Sequence, residues 1–231
     1  MSSVCTAVIV AAGKGKRMGT EISKQFLPLG GREILTHSVE KFERAEHIRD
    51  IILVTGEDSL QDVRDMKTEY GWKKVVSVVA GGKERQDSVW NGLQAVSDDT
   101  DIILIHDGVR PFVTEEILIR SIETALEMGG CVAGVPAKDT IKVCDTENIA
   151  VATPDRSTLW QIQTPQTFRK DLIFAAYQKA KADGFIGTDD ASLAEYSGYP
   201  VKVIMGSYRN IKITTKEDLL IGGAFLKEEQ A

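Results

Sequence analysis

The sequence predicts an open α/β fold: a doubly wound, mostly parallel sheet with a protruding β-arm. Three observations carry the prediction. Short, continuous apolar runs rich in Val and Ile recur along the chain, as expected of strands buried on both faces. Between them lie segments whose apolar residues are spaced three and four apart, the period of an amphipathic helix. That strand-helix alternation is interrupted once, by a polar and β-branched stretch with no helical period.

Val4-Cys5-Thr6-Ala7-Val8-Ile9-Val10 reads as the first buried strand, and the spacing of Ile34, Leu35, Val39 and Phe42 as the first long helix. Ile51-Ile52-Leu53-Val54 is the second strand; Ser59 with Asp62 then fits a capping box opening the next helix. Val75 to Val79 and Ile102 to His106 are two further strands, followed by a helix on Ile117, Leu118, Ile122, Ala125 and Leu126 and a strand on Cys131 to Val135. Between Pro136 and about Thr164, polar and β-branched residues alternate in Thr140-Ile141-Lys142-Val143, which reads as a hairpin or arm. A two-stranded arm buries too little to be stable alone, so it is expected to pack on a second subunit. Val201 to Ile204 returns to the sheet, Thr215 with Asp218 caps a last helix, and the end from Lys227 to Ala231 is expected to fray. At 231 residues the whole chain, 1–231, is expected to form one domain carrying the arm at about 136–164.

A formal charge of −6 argues against a general nucleic-acid or anionic-membrane surface. Cys5, Cys131 and Cys144 show no metal-ligand spacing and read as reduced thiols. With no signal-type segment and no run near the ~18 apolar residues of a membrane span, a cytoplasmic protein is expected.

Against that acidic background one segment stands out. Ala11-Ala12-Gly13-Lys14-Gly15-Lys16-Arg17-Met18-Gly19 hangs from the carboxyl end of the first strand, and with Lys24 it places four cations within eleven residues. Glycines let backbone N–H groups approach an anion, so the loop suits a polyphosphate. Its glycine spacing misses the dinucleotide fingerprint, and Arg17 stands where a P-loop needs Ser or Thr. A second site is His106-Asp107-Gly108-Val109-Arg110-Pro111, also at a strand end. There Asp107 can face a divalent cation and Arg110 can fork onto a phosphate, unless Asp107 merely caps the turn and pairs with Arg110. His106 reads as a packing or hydrogen-bonding residue. In Ala80-Gly81-Gly82-Lys83-Glu84-Arg85-Gln86-Asp87-Ser88, paired glycines permit close approach and Ser88 can bond a polar ligand edge, while the charged residues read as a solvated first helical turn.

Taken in order with Lys24-Gln25, Asp139-Thr140, Asp155-Arg156, Thr164-Pro165-Gln166, Thr188-Asp189-x-Ala191-Ser192 and Asn210-Ile211-Lys212, these motifs resemble the 2-C-methyl-D-erythritol 4-phosphate cytidylyltransferase family, from about residue 4 to 220. The resemblance implies a Rossmann-like sheet of nucleotidyltransferase type and transfer of CMP from CTP to a small polyol phosphate with release of pyrophosphate, in non-mevalonate isoprenoid synthesis. It implies that Ala11, Ala12 and Gly13 with Gly81, Gly82 and Ser88 hold the cytidine. Arg17 and Lys24 would stabilise charge at the α-phosphorus, with Lys16 an outer helper. Asp107 would lie at Mg²⁺ and, with Arg110, Thr164 and Lys212, at the methylerythritol phosphate. Thr140 and Arg156 would reach in from the partner's arm, making the active species a homodimer. Lys83 departs from the family's pattern, which has Asp there; a contact through backbone N–H tolerates the change. Ribitol 5-phosphate cytidylyltransferase shares several of the motifs, and a non-catalytic nucleotide-sensing module is the alternative of a different class. A phosphate nucleophile is largely a dianion at neutral pH, so in-line attack with inversion needs no strong base, and the barrier to lower is electrostatic.

Overall fold

The computed structural model describes residues 3–13 and 23–229. Its elements are β1 (Cys5–Ala11), β2 (Pro28–Leu29), β3 (Arg32–Glu33), α1 (Ile34–Arg44), β4 (Asp50–Thr55), α2 (Leu60–Glu69), β5 (Val75–Ala80), α3 (Arg85–Leu93), β6 (Ile102–Asp107), α4 (Glu115–Met128), β7 (Gly130–Pro136), β8 (Val143–Cys144), β9 (Ala150–Ala152), β10 (Trp160–Arg169), α5 (Lys170–Asp183), α6 (Asp190–Tyr196), β11 (Lys202–Met205) and α7 (Lys216–Glu229). A seven-stranded sheet runs in the order β11-β7-β10-β6-β1-β4-β5. Within this seven-stranded sheet, among the described residues, only β10 is antiparallel to its neighbours.

The apolar runs are continuous because both faces of this sheet are covered. Along β1, Ala7 and Ile9 face one core while Val8 faces the other, and Ile51/Ile52 on β4 and Ile102/Ile103 on β6 divide the same way. The first core is closed by Leu35, Val39 and Phe42 of α1, Val63 of α2 and Ile117 of α4; the second by Val89 of α3, Ile173 of α5 and Leu193 of α6. A third, smaller cluster seats Leu226 of α7 against Leu29 and Phe112.

Three expectations need correction. The Ser59 side chain makes no capping bond, because Ser59 ends a short 3-10 turn and lacks the extended backbone of a helix cap. The Thr215/Asp218 pair does form, with Thr215 N–H donating to Asp218 Oδ2 at 2.9 Å. Of the end expected to fray, Lys227 to Glu229 belong to α7, with Lys41 in a 3.5 Å ion pair to Glu229, while Gln230 and Ala231 lie outside the described residues. The arm is shorter than expected: its hairpin pairs β8 with β9, and the chain is back in the central sheet at Trp160. β10 was hidden because Pro165 argues against a central strand. Its register with β7 shifts between Ile162 and Gln166, so Pro165, which follows a cis peptide, sits where no ladder bond is lost.

The strand order reverses at β1, which has β4 on one side and β6 on the other. Open α/β sheets bind ligands at the carboxyl ends of strands at such a switch point.

Candidate active site

Three loops converge at that end of the sheet. Ala11-Ala12-Gly13 leaves β1, Gly81-Gly82 leaves β5, and Asp107 closes β6, its Cα paired in register with Val10. The β5 loop is bonded to its surroundings: Gly81 N–H donates to the Thr55 carbonyl at 2.7 Å, and Gly82 N–H to Ser88 Oγ at 3.0 Å. Ser88 Oγ in turn donates to the Glu84 carbonyl at 3.0 Å. A Cβ at position 81 would lie 2.4 Å from that of Ala12, so glycine is what lets the β1 and β5 loops meet. Together they border a cavity of about 560 Å³, completed by Lys24, Gln25, Lys83, Glu84, Arg85, Asp107, Val109 and Lys212.

Asp107 is the electrostatic centre of the floor. Its Oδ2 lies 3.0 Å from Lys212 Nζ and 3.2 Å from Arg110 Nε, and its Oδ1 3.5 Å from Arg85 Nε. Burial alone would raise its pKa, but the charges of Arg85, Lys212 and Arg110 outweigh that and hold the carboxyl well below the usual range. Arg85 also reaches Asp190, Nη2 to Oδ2 at 2.8 Å, and the opposite oxygen of Asp190 accepts from the Tyr177 hydroxyl at 2.5 Å. Burial disfavours the Arg85 charge, yet Asp190 and Asp107 raise its pKa above the ordinary value.

Behind this floor the hydrogen bonds define a protonation state. Thr164 Oγ1 accepts from the Asp107 N–H at 3.0 Å and lies 3.0 Å from His106 Nδ1; His106 Nε2 faces the Arg110 carbonyl at 3.0 Å. A carbonyl only accepts, so Nε2 carries the proton and the Thr164 hydroxyl donates to Nδ1. Burial pushes the His106 imidazole down to about 4, consistent with a neutral ring.

The structure thus brings Ala11, Ala12, Gly13, Lys24, Gly82, Ser88, Asp107 and Lys212 around one cavity, with Gly81 packed against Ala12. Lys16 and Arg17 lie outside the described residues. Arg110 is not on the cavity wall: it is buried, pairs with Asp107 and donates to the Asn210 carbonyl at 2.8 Å, the turn-capping arrangement rather than an open fork. Thr164 is likewise buried behind the floor. Thr140 and Arg156 are exposed on the arm, away from their own chain's cavity, with Arg156 Nη1 donating to the Lys138 carbonyl at 2.9 Å.

Arg85 overturns the expectation of a solvated first turn, since two carboxylates draw it inward. Asp190 had been given no role of its own. Its signal was an Asp189-Asp190 pair opening an apolar helix: Asp189 caps Ser192 N–H at 2.9 Å, leaving Asp190 on the buried side. Gln25 was quoted only within a motif, yet it is buried at the cavity, and among the described residues its Oε1 has no hydrogen-bond partner.

The donor set suits a metal carried on phosphates and not one caged by protein. Among the described residues no three His, Cys, Asp or Glu side chains converge, and both oxygens of Asp107 already face cations. A second hollow of about 660 Å³, bordered by Asp101 and Lys170, lies at the amino ends of the central strands, where Lys170 is tied to the Ser97 and Asp98 carbonyls. No helix among the described residues is long and apolar enough to cross a membrane.

The family model described as 2-C-methyl-D-erythritol 4-phosphate cytidylyltransferase (IspD) matches residues 5–228. A protein of that name from Geotalea uraniireducens (strain Rf4) is 53% identical over 225 residues, covering 96% of both chains. Another from Alkaliphilus oremlandii (strain OhILAs) is 48% identical over 226 residues, covering 97% of this chain and 96% of that one. Among solved structures, the 4-diphosphocytidyl-2C-methyl-D-erythritol synthase of Anaerococcus prevotii DSM 20548 matches with a TM-score of 0.87 at 35% identity, over 98% of this chain and 100% of that one. The 2-C-methyl-D-erythritol 4-phosphate cytidylyltransferase of Thermus thermophilus matches at 0.79 and 29% identity, over 97% and 99%.

Proposed function

The chain belongs to the 2-C-methyl-D-erythritol 4-phosphate cytidylyltransferase family, and from that premise we propose how the cavity at the ends of β1, β5 and β6 performs the reaction. The enzyme transfers CMP from CTP to 2-C-methyl-D-erythritol 4-phosphate, giving 4-diphosphocytidyl-2-C-methyl-D-erythritol and pyrophosphate in isoprenoid synthesis. The observation that carries the assignment of roles is the cation-rimmed cavity: Lys24, Arg85 and Lys212 border it together with the glycine loops, and Asp107 on its floor pairs with Arg85 and Lys212.

Ala11, Ala12 and Gly13, with Gly81, Gly82 and Ser88, hold the cytidine against the bonded β5 loop. Lys24 and Arg17 act on the triphosphate, with Lys16 outside them. A phosphate oxygen of the polyol phosphate attacks the α-phosphorus; the new P–O bond forms as the α–β bridging P–O bond breaks and pyrophosphate departs. The nucleophile is already ionised, and His106, neutral and sealed behind Thr164, does not act as a base. Lys24 and Arg17 stabilise the charge that develops between the reacting oxygens. Lys212, beside Asp107, receives the phosphate of the acceptor, while Arg110 and Thr164 keep Asp107 in place. Asp107 is the floor carboxylate that would face Mg²⁺ brought in on the nucleotide phosphates, and the ion would supply neutralising charge to those phosphates.

The working species is a homodimer in the cytoplasm. The arm leaves Ile141, Val143, Ile149 and Val151 exposed, more apolar surface than an isolated hairpin sustains. Packed on a second subunit, the arm would carry Thr140 and Arg156 to the partner's acceptor phosphate. The test is pyrophosphate release from CTP, ATP, GTP and UTP with 2-C-methyl-D-erythritol 4-phosphate or ribitol 5-phosphate. Turnover with CTP and the methylerythritol phosphate is expected; equal or better turnover of ribitol 5-phosphate would overturn the acceptor assignment.

A further inference from the structure

The three cations on Asp107 are not equivalent. Arg85 has a second anchor in Asp190, itself buried and held by Tyr177, and Arg110 has one in the Asn210 carbonyl. The bond from Lys212 to Asp107 stands without a second anchor among the described residues, and Lys212 is also the most exposed of the three side chains. Lys212 is therefore the cation that can exchange. For it to leave, the carboxylate must stay neutralised, because a buried and unpaired charge is strongly disfavoured.

We propose that Arg85 is a positioning residue for the acceptor: by sharing the Asp107 carboxylate from its seat on Asp190, it releases the Lys212 ammonium from Asp107 to the incoming polyol phosphate. This rests on the reading above that Lys212 meets that phosphate. Without Arg85, Asp107 keeps a stronger hold on Lys212, and the exchange becomes unfavourable. Arg85 contacts neither reacting atom in this scheme; it acts through Asp107 and Lys212. The geometry also gives the buried Asp190 a purpose, since it points Arg85 across α3 toward the end of β6 rather than into solvent.

The test is a double-mutant cycle in the purified full chain, following pyrophosphate release with CTP and 2-C-methyl-D-erythritol 4-phosphate varied separately. Arg85→Gln is expected to raise KM for the acceptor about tenfold while KM for CTP stays within about threefold, a split that a merely structural role would not produce. In a Lys212→Ala background the same change should add less than about twofold, because its target is gone. Arg85→Lys retains the charge at a single point of contact and should raise the acceptor KM about threefold. It keeps the test open should melting curves show Arg85→Gln unfolded, and an unchanged acceptor KM in Arg85→Lys then overturns the proposal. A proportional rise in both KM values, or full multiplication of effects in the double variant, overturns it as well. If Lys212→Ala alone leaves the acceptor KM unchanged, the assignment of Lys212 fails and takes the proposal with it; if Lys212→Ala raises it and Arg85→Gln does not, the proposal alone fails.

Discussion

Acidification should expose the neutral imidazole behind the catalytic floor. His106 is fully buried, with Nε2 on the Arg110 carbonyl and Nδ1 on the Thr164 hydroxyl, and burial takes it from its ordinary 6.5 to about 4. Its folded-state value lies below its unfolded one, so the unfolded chain takes up this proton first. Stability is intact above pH 6.5 and is lost as the pH falls toward 4. At about 1.4 kcal/mol per tenfold change, the full effect is about 3 kcal/mol, nearly all of it felt by pH 4. For a chain of this length that corresponds to a melting temperature lower by roughly 6–12 °C. His37 is also held below its ordinary value by burial and acts with the same sign. Asp107 contributes only further down: its depressed pKa stabilises the fold above the ordinary carboxylate value, and that share is lost below about pH 4. A residue-resolved measurement is therefore the decisive one. Long-range ¹H–¹⁵N correlation spectra should show the His106 ring as the neutral Nε2–H tautomer from pH 7 to about 4.5, while chemical denaturation records the loss of stability. A ring that titrates near 6.5 in the folded protein, or that carries its proton on Nδ1, would refute the network.

Thr164→Val removes the acceptor of the Asp107 N–H and the donor to His106 Nδ1; with about 1–3 kcal/mol for each of the two buried groups left unpaired, calorimetry should find a melting temperature lower by roughly 4–24 °C. Lys24→Ala should lower kcat about 10²-fold or more with a smaller change in KM; a change in KM alone would move Lys24 from the reaction to ground-state binding. Gly81→Ala sets a methyl 2.4 Å from Ala12 Cβ, and at about 1–3 kcal/mol of strain should raise KM for CTP about tenfold; unaltered CTP kinetics would mean that the two loops can part freely. Verified heterodimers of Lys24→Ala and Arg156→Ala subunits should recover part of the activity that each homodimer lacks, and no recovery would argue against a site shared through the arm.

The sheet was legible in the sequence because its strands are apolar on both faces, and Val8 and Ile9 pointing to opposite cores is what a continuous run means. β10 was not, because its buried residues include Gln163, Thr164, Gln166 and Thr167, polar side chains that hydrogen-bond neighbouring elements instead of filling an apolar core. Gln166, for instance, donates to Asp189 at 2.8 Å and accepts from the Ala191 N–H at 2.9 Å. Of the site, the glycine loops and Asp107 announced themselves by their place after strands. Arg110 and Arg85 exchanged the parts expected of them: the arginine beside Asp107 in sequence is buried as its partner, and the one in a charged helical turn borders the cavity. Spacing along the chain separates those two outcomes poorly, since what decides them is a carboxylate about a hundred residues away, Asp190, meeting Arg85 at 2.8 Å.

The place of β10 in the sheet also matters during synthesis. Its Gln166 pairs with Ile105 of β6 on one side and Val132 of β7 on the other, so β6 and β7 never touch and β10 is the wedge between them. A chain emerging from the ribosome can assemble β1, β4, β5 and β6 early, but it must then wait through β7 and the whole arm with the outer edge of β6 unpaired. That edge belongs to a strand whose first four residues, Ile102-Ile103-Leu104-Ile105, are apolar, a template on which another nascent chain can add a strand. Release from the hazard comes with the same strand that delivers Thr164 to Asp107, so the edge of β6 is covered before Asp190 and Lys212 arrive to complete the floor.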